Sequence, residues 1–208
     1  MNRPALLVLV RHGQSQRNIA KKKNHFYLDD ESRQSVKGIP EGLLSAYPDD
    51  ERWQMTVRHH LFIRERDGGH TYDMTDAEAS VAFPWWQNYW HTFGPFFARP
   101  PGGESLAQVC ERVYAFLQKV ARTMAGKRVL IVSHGGTMWC LRYVLEGWSY
   151  AEADRRFNTE AMPNCAVTSY RLDEGSKCLR LEDASQVFWR QWTGEMTSWR
   201  IGATSIFQ

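Results

Sequence analysis

Two short apolar runs in this chain each end on a histidine followed by glycine. The first, Ala5-Leu6-Leu7-Val8-Leu9-Val10, leads into Arg11-His12-Gly13-Gln14-Ser15, with Asn18 just beyond. The second, Val129-Leu130-Ile131-Val132, leads into Ser133-His134-Gly135-Gly136-Thr137. An unbroken apolar run of this kind, bounded by turn residues, has the character of a strand buried on both faces of a parallel sheet. In an open sheet of that type, ligands sit beyond the carboxyl ends of the strands. Both histidines fall at such ends, so one pattern constrains the fold and the place of the site together.

The residues around the histidines suit an anion. Gly13, Gly135 and Gly136 let the backbone approach a ligand closely and leave N–H groups free to point at it. Thr137 is read as opening a helix, whose N-terminus favours negative charge. Arg11 brings a guanidinium fork that matches phosphate oxygens, and Asn18 a neutral donor. A phosphoryl group held this way is open to attack by an imidazole in line with the leaving oxygen, which splits the displacement into two easier steps. The leaving alkoxide then needs a proton, which calls for a carboxylic acid nearby.

Strand and helix signals alternate along the rest of the chain. Residues 74–91 carry a helical pattern that Thr75 and Glu78 would cap, and the aromatics Phe83, Trp85, Trp86, Tyr89, Trp90 and Phe93 read as core and cover packing. The clearest helix is 106–125, with a Ser105–Gln108 capping box, one apolar face from Leu106 to Met124, and Gly126 as its stop. A strand over 129–132, a helix over about 137–146 closed by Gly147, and late strands over 166–172 and 178–182 follow. Residues 29–60, broken by Gly38, Pro40, Gly42 and Pro48, read as mostly irregular. This alternation predicts an α/β fold with a parallel sheet.

A chain of 208 residues is read as a single domain over 1–208 with a substantial core. The net charge of +3 gives no ground for nucleic-acid binding, and Lys21-Lys22-Lys23 reads as a solvated loop. The four cysteines (Cys110, Cys140, Cys165 and Cys178) form no CxxC pair, which points to reduced thiols in the cytoplasm. The first apolar run is too short for the apolar region of a signal peptide, and no segment is long enough to cross a bilayer. The aromatic tail, with Phe188, Trp189, Trp192 and Trp199, reads as cover for the core or as an interface, leaving room for a homodimer.

These motifs resemble the histidine phosphatase superfamily, which includes cofactor-dependent phosphoglycerate mutase and many small phosphatases. The resemblance rests on Arg11-His12-Gly13-Gln14-Ser15 with Asn18 and on Ser133-His134-Gly135-Gly136. Leu61-Phe62-Ile63-Arg64-Glu65-Arg66-Asp67-Gly68-Gly69 looks like the family segment that carries the general acid. Pro100-Pro101-Gly102-Gly103-Glu104-Ser105, followed by Arg112-Val113, looks like the family's entry into a long helix, and Pro163-Asn164-Cys165-Ala166-Val167-Thr168 like its late strand. The resemblance implies a phosphoglycerate mutase-like three-layer sandwich with a mostly parallel central sheet flanked by helices. It implies that His12 is the nucleophile, that Arg11 and His134 hold the phosphoryl group, and that Glu65 is the acid and then the base. Asn18, Gly13, Ser15, Gly135 and Arg66 fall to substrate binding. No metal or cofactor is implied, since arginine and histidine neutralise the charge. The partner implied is a small phosphorylated substrate, not nucleic acid or a membrane.

The chain departs from the family at one point. Members carry a second phosphate-binding arginine in a segment resembling Ser-x-Leu-x-Arg-Ala-x-x-Thr-Ala, which is not found here. Only 65 − 12 = 53 residues separate His12 from Glu65, as if one helix–strand–helix unit were missing. Arg58 is the nearest replacement, with Arg52 and Arg64 behind it. Three readings therefore stand: a phosphatase acting on a phosphate monoester through phosphohistidine, mutase-type transfer between hydroxyls, and a weakened relative that binds phosphorylated ligands. The Pro-Pro-Gly-Gly-Glu-Ser stretch and the short middle favour the phosphatase. Two other readings compete locally. Glu65 could belong to a surface ion-pair run within Arg64-Glu65-Arg66-Asp67, and His59, His60 and His70 could form a metal site.

Overall fold

The computed structural model describes residues 3–13, 58–160 and 162–187. Gln14, Ser15, Asn18, the lysine run, Arg52, most of the stretch read as irregular and the aromatic tail lie outside the described residues. Four strands and five helices are described: β1 (Leu6–Arg11), α1 (Asp76–Ala82), α2 (Trp86–Phe97), α3 (Leu106–Thr123), β2 (Arg128–Ser133), α4 (Gly135–Glu146), α5 (Tyr150–Thr159), β3 (Val167–Asp173) and β4 (Cys178–Gln186). Two 3₁₀ turns, Leu61–Ile63 and Gly69–Thr71, flank the segment that carries Glu65.

The fold is α/β, but its described sheet is mixed rather than mostly parallel. The order is β2-β1-β3-β4. The β1–β2 pair is parallel, and β1–β3 and β3–β4 are antiparallel. Chain connection explains the difference. Between β1 and β2 runs a long crossover that includes α3, as parallel strands require, whereas β3 and β4 are joined by a tight turn that permits only antiparallel pairing. Asp173 closes that turn by accepting from the Ser176 N–H and hydroxyl.

The core lies where α3 and α4 meet the sheet. Leu7, Leu9, Ile131, Val109, Val113, Met138 and Leu141 are all buried in one cluster. Leu130 and Val132 alternate with Ile131 along β2 and remain 49% and 56% exposed among the described residues. Helix α3 follows its sequence pattern closely. Ser105 and Gln108 form both halves of the capping box, and Gly126 takes φ 69° just past the helix end. The cap contributes about 1 kcal/mol.

The pattern over 74–91 resolves into two helices. Thr75 and Glu78 cap α1 as the spacing predicts. The helix then ends at Phe83 (φ −131°, ψ 72°), because the ring of Pro84 clashes with a helical residue before it. Helix α2 breaks at Gly94 (φ 68°), ahead of Pro95, and this turns Phe96 into the core. Of the aromatics read as packing, Trp85 and Phe93 are instead about half exposed (52% and 51%). The sequence reading missed α5 altogether. Its signal was present as Ser149-x-x-Glu152, and the Ser149 hydroxyl does accept from the Glu152 N–H. No helix among the described residues is long and apolar enough to cross a membrane.

Candidate active site

The register of β1 and β2 builds the site. Arg11 pairs with Ser133 at the last rung of the parallel ladder, so the next residue on each strand, His12 and His134, must emerge side by side. Their ring centroids are 4.8 Å apart. The ladder continues one step through the His12 N–H to the Ser133 carbonyl, at 2.8 Å. The His12 ring donates from Nδ1 to the Gly13 carbonyl at 2.5 Å. A carbonyl can only accept, so Nδ1 carries a proton, and the tautomer this selects for the neutral ring has its lone pair on Nε2.

Arg11 is oriented by a bond from Nη1 to the Met162 carbonyl. Its Nε is buried and has no hydrogen-bond partner among the described residues. A buried donor left unpaired is costly, and an incoming anion would satisfy it. Burial lowers the guanidinium's pKa, and the Glu65 charge works against that shift. Gly135 lies against this guanidinium, since a Cβ placed there would be 3.4 Å from Arg11 Nε. Gly13 has no such crowding. The nearest atom to a Cβ there would be Cys165 Sγ at 3.8 Å.

Helix α4 starts earlier than the sequence suggested. It begins at Gly135 with His134 as N-cap, not at Thr137. The His134 side chain makes no capping bond, which leaves the first-turn N–H groups open toward an anion. Thr137 is fully buried and spends its hydroxyl on the Arg64 carbonyl. The His134 pKa is lowered, first by burial and then by the charges of His12 and Arg11, while Glu65 pulls the other way.

Glu65 stands over the start of α4. Its Oε2 is 4.0 Å from His134 Nδ1, and its Oε1 accepts the Arg66 N–H at 2.8 Å. The surface ion-pair reading of this stretch loses two of its members. Arg64 pairs with Glu104 at 2.7 Å, and Asp67 accepts from the Gly69 N–H. This removes Arg64 as a stand-in for the absent arginine, because its guanidinium is already committed to that ion pair. Arg58 is exposed at the head of the segment. His60 caps a 3₁₀ turn and packs on Phe116, while His70 stacks on Phe83. Among the described residues no three metal-ligating side chains converge, so the metal reading of His59, His60 and His70 is set aside.

Two features escaped the sequence reading. Cys165 does not belong to the late strand. It takes φ 59° in the turn before β3, and its N–H donates to the carbonyls of both Arg11 and His12. No residue signal marks that position. The other feature is the hold on the acid segment, in which Glu104 is one end of an ion-paired cluster. Burial alone would raise the Glu104 pKa, but the Asp67 N–H together with Arg112 and Arg64 brings it below the usual 4.5. A carboxylate depressed in the fold stabilises fully above its unfolded pKa and loses that contribution as pH falls through its folded pKa. Glu104→Gln should therefore flatten the acid limb of stability below 4.5 and leave the slope near neutrality unchanged, as read by urea melts across pH.

Gly136 yields a second expectation. A Cβ there would lie 3.1 Å from Glu65 Oε1 and 3.4 Å from the Arg66 Cβ. Gly136→Ala should stabilise the helix by a few tenths to about 1 kcal/mol while displacing the carboxylate. Melting temperature should hold or rise as kcat falls. A fall in both would mean that the added methyl disrupts the first turn of α4.

Comparison with known proteins places the chain in a family. Residues 43–184 match the profile of the histidine phosphatase superfamily (branch 1). A 2,3-bisphosphoglycerate-dependent phosphoglycerate mutase of Parvibaculum lavamentivorans is 31% identical over 166 residues, covering 65% of this chain and 77% of the relative. Phosphoglycerate mutase-like protein 4 of Arabidopsis thaliana is 26% identical over 195 residues, 83% of this chain and 82% of its own. Among solved structures, a mycobacterial glucosyl-3-phosphoglycerate phosphatase complexed with VO3 aligns with TM-score 0.61 at 22% identity, over 88% of this chain and all of its own. A putative alpha-ribazole-5'-P phosphatase of Escherichia coli aligns with TM-score 0.64 at 17% identity, over 88% and 97%. The chain belongs to the histidine phosphatase superfamily. Its members among these relatives and neighbours carry names of phosphatases and of phosphoglycerate mutases.

Proposed function

We propose that the protein is a phosphatase that hydrolyses a small phosphate monoester through a phosphohistidine at His12. The observation that carries this reading is the His12 ring, whose Nδ1 is committed to the Gly13 carbonyl and which lies against the His134 ring, itself 4.0 Å from the Glu65 carboxylate. In the first step Nε2 attacks phosphorus, the ester P–O bond breaks, and protonated Glu65 gives its proton to the leaving alkoxide. In the second step the Glu65 carboxylate takes a proton from water as that water attacks phosphorus. The P–N bond breaks, its electron pair returns to Nε2, and inorganic phosphate leaves. Arg11, His134 and the α4 N–H groups neutralise the equatorial oxygens in both steps. Gly13, Gly135, Asn18, Ser15 and Arg66 complete the substrate shell in this reading, with Arg58 taking the place of the missing arginine.

The names of the curated relatives favour a second reading, transfer to another hydroxyl. A test separates the two. The enzyme is mixed with para-nitrophenyl phosphate and quenched for mass analysis, then chased with water alone or with phosphoglycerate. Phosphate on His12 that is released as inorganic phosphate in both chases supports the phosphatase. Its capture by phosphoglycerate supports the mutase. Absence of phosphohistidine and of turnover would leave the phosphate pocket as a binding site.

A further inference from the structure

The chain that carries Glu65 has no regular structure between its two 3₁₀ turns, so its carbonyls have no ladder and, apart from Asp67 O, which accepts the Glu104 N–H at 2.8 Å, look to side chains. They find three. The Ser133 hydroxyl donates to Ile63 O at 2.7 Å, and the Thr137 hydroxyl donates to Arg64 O at 2.5 Å. The third is Arg112, in the second turn of α3. Its Nη1 donates to Phe62 O at 2.6 Å and Arg64 O at 3.0 Å, and its Nη2 to Glu65 O at 3.2 Å. The Nε and the other Nη2 hydrogen go to the two oxygens of Glu104, both at 3.2 Å. A guanidinium has five N–H donors in a planar fork, and all five are used. Glu104 in turn accepts from the Asp67 N–H at 3.0 Å and from Arg64 at 2.7 Å, which ties down the far side of the same segment.

We infer that Arg112, locked by Glu104, is a positioning residue that fixes the Glu65 backbone so that the carboxylate meets the leaving oxygen. Arg112 touches no reacting atom. It grips the Glu65 carbonyl itself, and Ser133 and Thr137 link the two residues before it, Ile63 and Arg64, to the same two segments, β2 and α4, that position His134. Acid and phosphate pocket are thus held in one frame, and a misplacement of about 1 Å in such a frame costs about a hundredfold in rate. The clamp also excludes Glu104 as the acid, since both of its oxygens are taken by cations and an N–H. This inference rests on the proposed role of Glu65.

Arg112→Lys separates positioning from stability. Lysine keeps the charge and reaches Glu104, but a three-donor ammonium cannot span the fork. Two substrates are compared: para-nitrophenyl phosphate, whose leaving group needs little protonation, and glycerol 2-phosphate, whose alkoxide needs it fully. Both are compared in the phosphorylation step, read as kcat/KM and, for the aryl ester, as the nitrophenol burst, because phosphoenzyme breakdown uses the same carboxylate for either substrate. The expected result is a kcat/KM loss of about a hundredfold on glycerol 2-phosphate and little change in kcat/KM or in the burst on the aryl ester, whose steady-state turnover falls. The double variant with Glu65→Gln should be no slower on glycerol 2-phosphate than Glu65→Gln alone, because both changes remove one function. Equal losses on the two substrates, while Glu65→Gln still separates them, would overturn the positioning role. If Glu65→Gln fails to separate them, the acid assignment falls first and takes this inference with it. Should Arg112→Lys not fold, Glu104→Gln is read in the same way: a split between substrates upholds the clamp, and a uniform loss rejects it.

Discussion

His12→Ala is expected to lower kcat on para-nitrophenyl phosphate by at least about ten-thousandfold, as loss of a covalent nucleophile does elsewhere. The physical ground is that, among the described residues, the other imidazole at the site is already given the role of holding the phosphoryl group. His134 is the N-cap residue of α4 at the end of the second strand, and in the proposed reading it holds the phosphoryl group rather than attacking it. His12 is half-buried at the end of β1, outside the hydrophobic core cluster, so melting temperature should stay close to wild type. The variant should also hold inorganic phosphate, because Arg11 and the α4 N–H groups remain. A retained rate would mean that water attacks directly in this site. A lost fold would mean that the ring is structural.

Glu65→Gln should divide substrates by leaving group. On an alkyl phosphate the loss should be about a hundred- to ten-thousandfold, the usual worth of a positioned general acid. On an aryl phosphate, breakdown of the phosphoenzyme still needs a base, so turnover falls, but the first step, read as a burst of nitrophenol, should persist. The amide is close in shape to the acid and can still accept the Arg66 N–H that orients Glu65, so folding is not at stake. A burst lost together with turnover would move the acid elsewhere. Asp67 is the carboxylate to examine next, since the Arg112 clamp accounts for Glu104.

Much of this was legible in the chain. The two strand-to-histidine runs placed β1, β2 and both imidazoles to within a residue, because an apolar run ending in glycine leaves few other conformations. The same holds for α3, where a capping box, an apolar stripe and a stop glycine agree. The segment around Glu65 was found only through resemblance, since its residues have no periodicity. The mixed sheet was not legible either. The late strands look the same in sequence whether they run parallel or antiparallel to β1, and their direction depends on how α5 returns the chain, a helix whose Ser149-x-x-Glu152 signal went unread.

The contribution of each level follows from the range of the forces involved. Local chemistry in the sequence determined which residues could do phosphoryl chemistry and where strands, caps and breaks would fall. Which carboxylate faces His134, and which arginine is free, was decided by contacts between residues distant in the chain. Arg64, Glu65 and Glu104 look interchangeable in the sequence. In the fold, Arg112 takes the Glu104 carboxylate and the Glu65 carbonyl at once, and that bond across 47 residues turns one acid into scaffold and leaves the other over the site.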